Sequence, residues 1–248
     1  MNISGNTVFI PGATSGIGRG LAERFADAGN NVIVAGRRQH LVEEIVASHD
    51  NIEGFPLDVT DQRSVEAAVS TIKTAFPETN VLVTVAGIMR PEDVHAASFL
   101  PTAEATVATN LLGPIRLIGA LTEFLAAKDD AAILTVSSGL AFVPLPITPT
   151  YNATKAAMHS FTESLRIQLA DTNIQVIEIV PPRVRTALMN SENAEGAMPL
   201  DAFLSEVMEL LESEPDAKEI LVENVKFLRY AEANGNYDEV LGRLISSH

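Results

Sequence analysis

The sequence predicts an α/β fold: a doubly wound parallel sheet, three layers deep, with helices on both faces. Three observations predict it. Short apolar, β-branched runs alternate with amphipathic helical stretches along most of the chain. Those runs carry apolar residues at consecutive positions, as strands buried on both faces require. Glycines crowd the junction of the first run and the first helical stretch, in FIPGATSGIG at 9–18. Parallel neighbours need right-handed crossovers, and such sheets take ligands at the carboxyl ends of their strands.

The elements follow in order. TVFI (7–10) is the first strand. Leu21, Phe25 and Ala28 share one face of the next helix, which Gly29 closes as a C-cap. NVIVAG (31–36) is the second strand, followed by a helix over 41–46. IEGFPLDV (52–59) contains the third strand, with a helix over 65–76 behind it. NVLVTVAG (80–87) is the fourth, leading into one long helix over about 102–127. AAILTVSS (131–138) is the fifth, and a second long helix spans about 151–170. IQVIEIVPP (174–182) holds the sixth.

No repeat, low-complexity run or linker interrupts the chain before residue 186, so residues 1–248 read as one domain. Beyond it, Leu200, Phe203, Leu204, Val207, Met208 and Leu211 fall at helical spacing behind Pro199. The stripe predicts a helix packed on the body; a substrate lid over about 187–215 is the sharper reading, and one helix can be both. Residues 216–248 form a divergent tail.

Composition excludes several classes of function. At 248 residues and 46% hydrophobic content, the chain can bury a full core. A formal net charge of −15 repels phosphate backbones and anionic lipid, so nucleic acid and membrane surfaces are not expected partners. There is no cysteine, hence no disulfide and no thiolate chemistry. His40, His49, His95, His159 and His248 show no metal-ligand spacing and read as surface or packing residues, so no metal is expected. The most apolar segment, NLLGPIRLIGALTEFLAAKDD, is interrupted by Arg116 and Glu123 and reads as a core helix. MNISGNTVFI has no signal-peptide pattern, so a cytoplasmic location is expected.

Gly12, Gly16 and Gly18 let a backbone approach a pyrophosphate, while the helix that follows offers free N–H groups. The pattern is GxxxGxG with no GK[ST], which excludes a P-loop. After the second strand, where an NAD site carries an acid for the ribose, stand Gly36, Arg37 and Arg38. Arginines there can grip a 2′-phosphate, or form a solvated loop. Tyr151 and Lys155, four apart, share a helix face. A free phenol, with a pKa near 10, is a poor proton donor and acceptor at neutral pH, and a nearby ammonium lowers that value. Ser138, thirteen residues earlier at the end of the fifth strand, can polarise a carbonyl oxygen.

Together GATSGIG, LDVT, VAG, ATNLLG, LTVSS, YNATK and VPPRVRT resemble the short-chain dehydrogenase/reductase family, in its order and at its spacing, over about residues 5–190. SSGLAFVPLP and VPPRVRTAL are most similar to its small DltE-like branch. The resemblance implies a Rossmann-type fold and a set of roles. Tyr151 is the general acid, and Lys155 lowers its pKa and holds the nicotinamide ribose. Ser138 orients the carbonyl, and Asn110 holds a water linking Lys155 to solvent; capping a helix kink is the structural alternative for Asn110. Gly12, Ser15, Gly16, Ile17 and Gly18 cradle the cofactor, with Arg37 and Arg38 at its 2′-phosphate. Asp58 and Val59 meet the adenine, Ala86 and Gly87 lie under a ribose, and Pro181, Val184 and Thr186 seat the nicotinamide.

Departures from the family pattern are Pro11 in place of threonine, Val85 in place of asparagine and Pro181-Pro182 in place of Pro-Gly. The two departures at Pro11 and Val85 suggest an apolar contact between them. The family's last strand is read as missing, and since that strand builds one tetramer interface, a homodimer is expected. The implied activity is NADP(H)-dependent reduction of medium-sized hydrophobic ketones or aldehydes, reversible as an alcohol dehydrogenase. Leu140, Phe142, Val143, Leu145, Leu188 and Met189, with the lid helix, would line the pocket. The alternative is a non-catalytic NADP(H)-binding sensor on the same fold.

Overall fold

A computed structural model describes residues 1–246; His248 lies outside the described residues. Seven parallel strands form one sheet in the order β3-β2-β1-β4-β5-β6-β7. They are β1 (Thr7–Pro11), β2 (Asn31–Gly36), β3 (Ile52–Pro56), β4 (Val81–Thr84), β5 (Ala131–Val136), β6 (Ile174–Ile179) and β7 (Glu219–Ile220). The helices between the first strands are α1 (Gly16–Asp27), α2 (Gln39–Ser48) and α3 (Gln62–Ala75). Next come α4 (Leu100–Val107), α5 (Gly113–Ala126) and α6 (Pro149–Gln168), then α7 (Leu200–Ser213), α8 (Lys226–Arg229) and α9 (Tyr237–Ser246).

Alternation along the strands divides the core into two layers. Val8, Ile10, Val81 and Val83 face α1 and α7 residues such as Phe25, Phe203 and Val207. Phe9, Leu82 and Ile133 face α3 and α5 residues such as Ile72, Leu117 and Leu121. The apolar stripe of α7 is spent on α1: a Cβ on Gly20 would lie 2.2 Å from Leu204 Cδ1, so the two helices meet where α1 has no side chain.

Three expectations are corrected. The seventh strand exists; it pairs Glu178 with Glu219 and Ile179 with Ile220 before the chain turns into a 3-10 segment at Glu223–Val225. Its two residues hide in EILVEN, too short to show a period. The single long helix over 102–127 is broken by a π turn at Ala108–Leu112. Pro114 has no N–H for the carbonyl four residues back, so the turn widens. The Pro11–Val85 contact fails on strand parity. Val85 packs with the layer that contains Val8 and Ile10, and alternation along β1 turns Pro11, one residue out of phase with them, to the opposite face of the sheet. Pairing of β1 with β4 stops at Phe9–Leu82, while pairing with β2 runs on to Pro11–Ala35. The N–H that proline lacks therefore falls on the unpaired side.

Candidate active site

A cavity of about 1070 Å³ opens at the carboxyl ends of β1, β2, β4, β5 and β6. Its lining gathers Gly12, Ser15, Gly16, Ile17, Gly18, Arg37, Arg38, Asp58, Val59, Ala86 and Gly87 at one end. Ser138, Leu140, Leu145, Tyr151, Lys155, Pro181, Val184, Thr186, Leu188 and Met189 line the rest.

The glycine loop lies close against neighbouring backbone. Gly12 has φ +94, and a Cβ there would lie 2.5 Å from the Ala86 Cα; one on Gly18 would lie 2.5 Å from the Gly12 oxygen. Ser15, the N-cap of α1, spends its hydroxyl elsewhere: Arg38 Nη2 donates to Ser15 Oγ and Thr14 Oγ1, each at 2.8 Å. Arg38 is thereby fixed over the mouth of the loop, and Arg37 is exposed beside it. Across this end stands Asp58. Burial works against its ionised form, but Thr60 outweighs it, donating from N at 2.9 Å and Oγ1 at 2.7 Å, and the Arg37 charge adds to this; the net shift is downward.

At the other end Tyr151 and Lys155 sit one turn apart on α6, both buried. Lys155 Nζ donates to the Val136 oxygen at 2.8 Å. Burial pulls the ammonium down to about 8, and the Glu178 charge opposes that fall. The Tyr151 phenol moves up, not down, to about 12: burial dominates and the Ser138 hydroxyl only eases it. The expected lowering by Lys155 is absent because the ammonium lies 5.6 Å from the ring centre and is turned to Val136. Ser138 Oγ accepts from Leu140 N at 3.1 Å, while the neighbouring Ser137 Oγ, also on the lining, has no partner.

Three predicted residues lie off the cavity. Asn110, in the π turn, clamps the loop after β4: its Oδ1 accepts from Ile88 N and its Nδ2 donates to Ile88 O, both at 2.8 Å. Phe142 stacks edge-on to His159 at 4.8 Å and lies under the Arg229 guanidinium at 4.5 Å. Val143 likewise faces inward, against Leu228, Ala231 and Val240. Nor does any α7 residue line the cavity. Its place as a wall is taken by the tail: Asn224, Phe227, Leu228 and Leu244. Gly139, next to Ser138, makes room for this, since a Cβ there would lie 2.5 Å from Leu228 Cδ1. Phe227 and Leu228 were visible as an apolar pair in VENVKFLRY, but nothing local says that this segment returns to β5.

The short chain dehydrogenase family profile matches residues 6–197, and the chain belongs to that family of oxidoreductases. It is 36% identical over 250 residues to the "Uncharacterized oxidoreductase DltE" of Bacillus subtilis (strain 168), covering 98% of each chain. It is 30% identical over 188 residues to the 2,3-dihydro-2,3-dihydroxybenzoate dehydrogenase of the same organism, covering 74% of this chain and 72% of that one. A short chain dehydrogenase from Burkholderia cenocepacia J2315, solved with NADP, superposes with a TM-score of 0.83 at 24% identity, covering 98% of this chain and 99% of that one. No helix among the described residues is long and apolar enough to cross a membrane.

Proposed function

We propose that this protein is an NADP(H)-dependent carbonyl reductase that acts on medium-sized apolar ketones and aldehydes. One observation carries the reading: Ser138, Tyr151 and Lys155 line the same cavity as the glycine loop and Arg38. Gly12, Gly16 and Gly18 would hold the pyrophosphate, and Arg37 and Arg38 the 2′-phosphate. Asp58 and Val59 would meet the adenine, Ala86 and Gly87 a ribose, and Pro181, Val184 and Thr186 the nicotinamide. A nicotinamide bound there would supply the hydride for the carbonyl carbon.

Ser138 polarises the carbonyl oxygen, and Tyr151 gives that oxygen its proton. At about 12 the phenol holds its proton at neutral pH, the form reduction starts from, although burial also makes it a weaker acid than a free phenol. Lys155, one turn along α6, is the cation on the same helix face as the phenolate that is left. Asn110 supports this arrangement by fixing the loop at Ile88. Leu140, Leu145, Leu188 and Met189 offer an apolar wall to the substrate, which argues against sugars and charged acids. A homodimer through α4, α5 and α6 is supported by exposed Leu100 of α4, Leu112 of the π turn before α5 and Ile167 of α6, and by an edge strand of two residues.

The test is a panel of apolar ketones offered with NADPH and NADH side by side, with Tyr151→Phe as control. Turnover with NADPH, lost in Tyr151→Phe while NADPH binding persists, is expected. Binding without turnover across the panel favours the sensor; a Phe variant at near-native rate removes Tyr151 from the mechanism.

A further inference from the structure

Outside the cavity, behind Lys155, lies a closed cluster of charge. Tyr151, Lys155 and His159 recur every fourth residue, one stripe along α6. The stripe faces β5 and β6: Thr135 Oγ1 lies 2.8 Å from Thr162 Oγ1 of α6, and in register beside Thr135 stands Glu178. Glu178 is wholly buried. Its Oε2 lies 2.8 Å from His159 Nδ1, and its Oε1 has no hydrogen-bond partner. A buried carboxylate with one bare oxygen is costly unless a positive charge faces it.

Glu178 does not line the cavity, so its neighbours decide what it does. Glu219 of β7 is its cross-strand partner, and Arg229 of α8 already donates to both Glu219 oxygens, at 2.8 and 3.0 Å. His159, Glu178 and Glu219 offer ligand atoms within 4.8 Å of one another, but with Arg229 closed on Glu219 the trio already has its cation. The other charges near the pair are Lys155 and Glu163 on α6, the latter 3.9 Å from His159 Nε2. β5, the turn at Gly139–Ala141 and the π turn carry no charged side chain, and Glu104 of α4 is exposed.

We propose that Glu178, held by His159, is a positioning residue that keeps the Lys155 ammonium charged and fixed against Val136. The proposal rests on the reductase reading for its purpose, not for its physics. Glu178 is the one carboxylate whose charge opposes the effect of burial on Lys155. The same carboxylate raises the pKa of His159, chiefly through their hydrogen bond. Lys155, His159 and, more weakly, Arg229 thus share one buried anion, and Lys155 and His159 must each feel the loss of the other.

Protein labelled with [ε-¹³C]lysine reads this directly by NMR titration, without cofactor or substrate. The other lysines are Lys73, Lys128, Lys218 and Lys226, and Lys155→Met assigns the signal. Glu178→Gln is expected to move the Lys155 titration down by about one pH unit, with Glu178→Asp restoring most of it. A Lys155 titration unmoved by Glu178→Gln overturns the proposal. Should Glu178→Gln not fold, the reciprocal measurement decides. Lys155→Met is expected to raise the His159 pKa by about half a unit or more, and an unchanged His159 refutes the coupling. The NMR result is independent of turnover: a native protein that reduces no ketone, yet shows both shifts, loses the reductase reading and keeps the pair.

Discussion

Lys155 Nζ gives its hydrogen bond to the main-chain oxygen of Val136, 2.8 Å away, the last residue of β5. The strand that carries Ser138 is thereby tied to the helix that carries Tyr151, and the tie is a buried charge. Burying an ammonium costs stability, so the site works against the fold that holds it.

That cost sets the first prediction. The lysine pKa falls from 10.5 to about 8 on folding, so below pH 8 folding must keep a proton where it is disfavoured. The unfolded chain binds more protons between those values, so this penalty shrinks as pH rises through 8 and is gone above 10.5. Lys155→Met should therefore be more stable than the native protein at pH 7, by about 3 kcal/mol, and lose that advantage towards pH 10.5. Urea unfolding of both proteins across pH 7–10.5 checks it; a constant difference contradicts the assignment.

Catalysis should show the same group from the other side. The rate constant kcat/KM for ketone reduction should fall as pH rises through about 8, as Lys155 loses its charge. Tyr151 keeps its proton until about 12, so the limb near 8 belongs to the lysine. A profile flat to pH 10 would separate Lys155 from the chemistry.

The sheet was legible because its strands are buried on both faces and the motifs sit at their ends. Ser138, Tyr151 and Lys155 were legible because a fixed strand end and a helical period of four determine where they point. The tail was not. β7 has two residues, and the apolar pair Phe227–Leu228 reads the same whether it meets the core or a ligand. Phe142 was misassigned for the converse reason. Leu140 and Leu145 face the cavity, but the irregular loop between them has no period to say that Phe142 turns back to His159. Asn110 was found by motif, yet its geometry depends on the π turn caused by Pro114.

Cofactor choice should divide unequally between two adjacent arginines. Both arginines are exposed, but Arg38 is already held by Thr14 and Ser15 in the glycine loop, whereas Arg37 acts on the site through its charge beside Asp58. Arg37→Ala should raise the KM for NADPH well above its effect on NADH, roughly tenfold for one charge-assisted contact to phosphate. Arg38→Ala should weaken both cofactors, because it also releases the loop. Equal effects of Arg37→Ala on the two cofactors would remove the 2′-phosphate role.

Two phenylalanines should behave in opposite ways. Phe142 is a half-buried packing residue between His159 and Arg229, so Phe142→Ala should cost roughly 2 kcal/mol of stability and leave the KM for ketones unchanged. Phe227 is 47% exposed and stands on the cavity wall, so truncating it removes little from the core. Phe227→Ala should unfold with near-native stability and raise the KM of bulky apolar ketones several-fold, with small ketones less affected. Thermal unfolding and a ketone size series measured on both variants test the pair. If Phe142→Ala changes KM and Phe227→Ala does not, the wall of the pocket is the loop after β5 and not the tail.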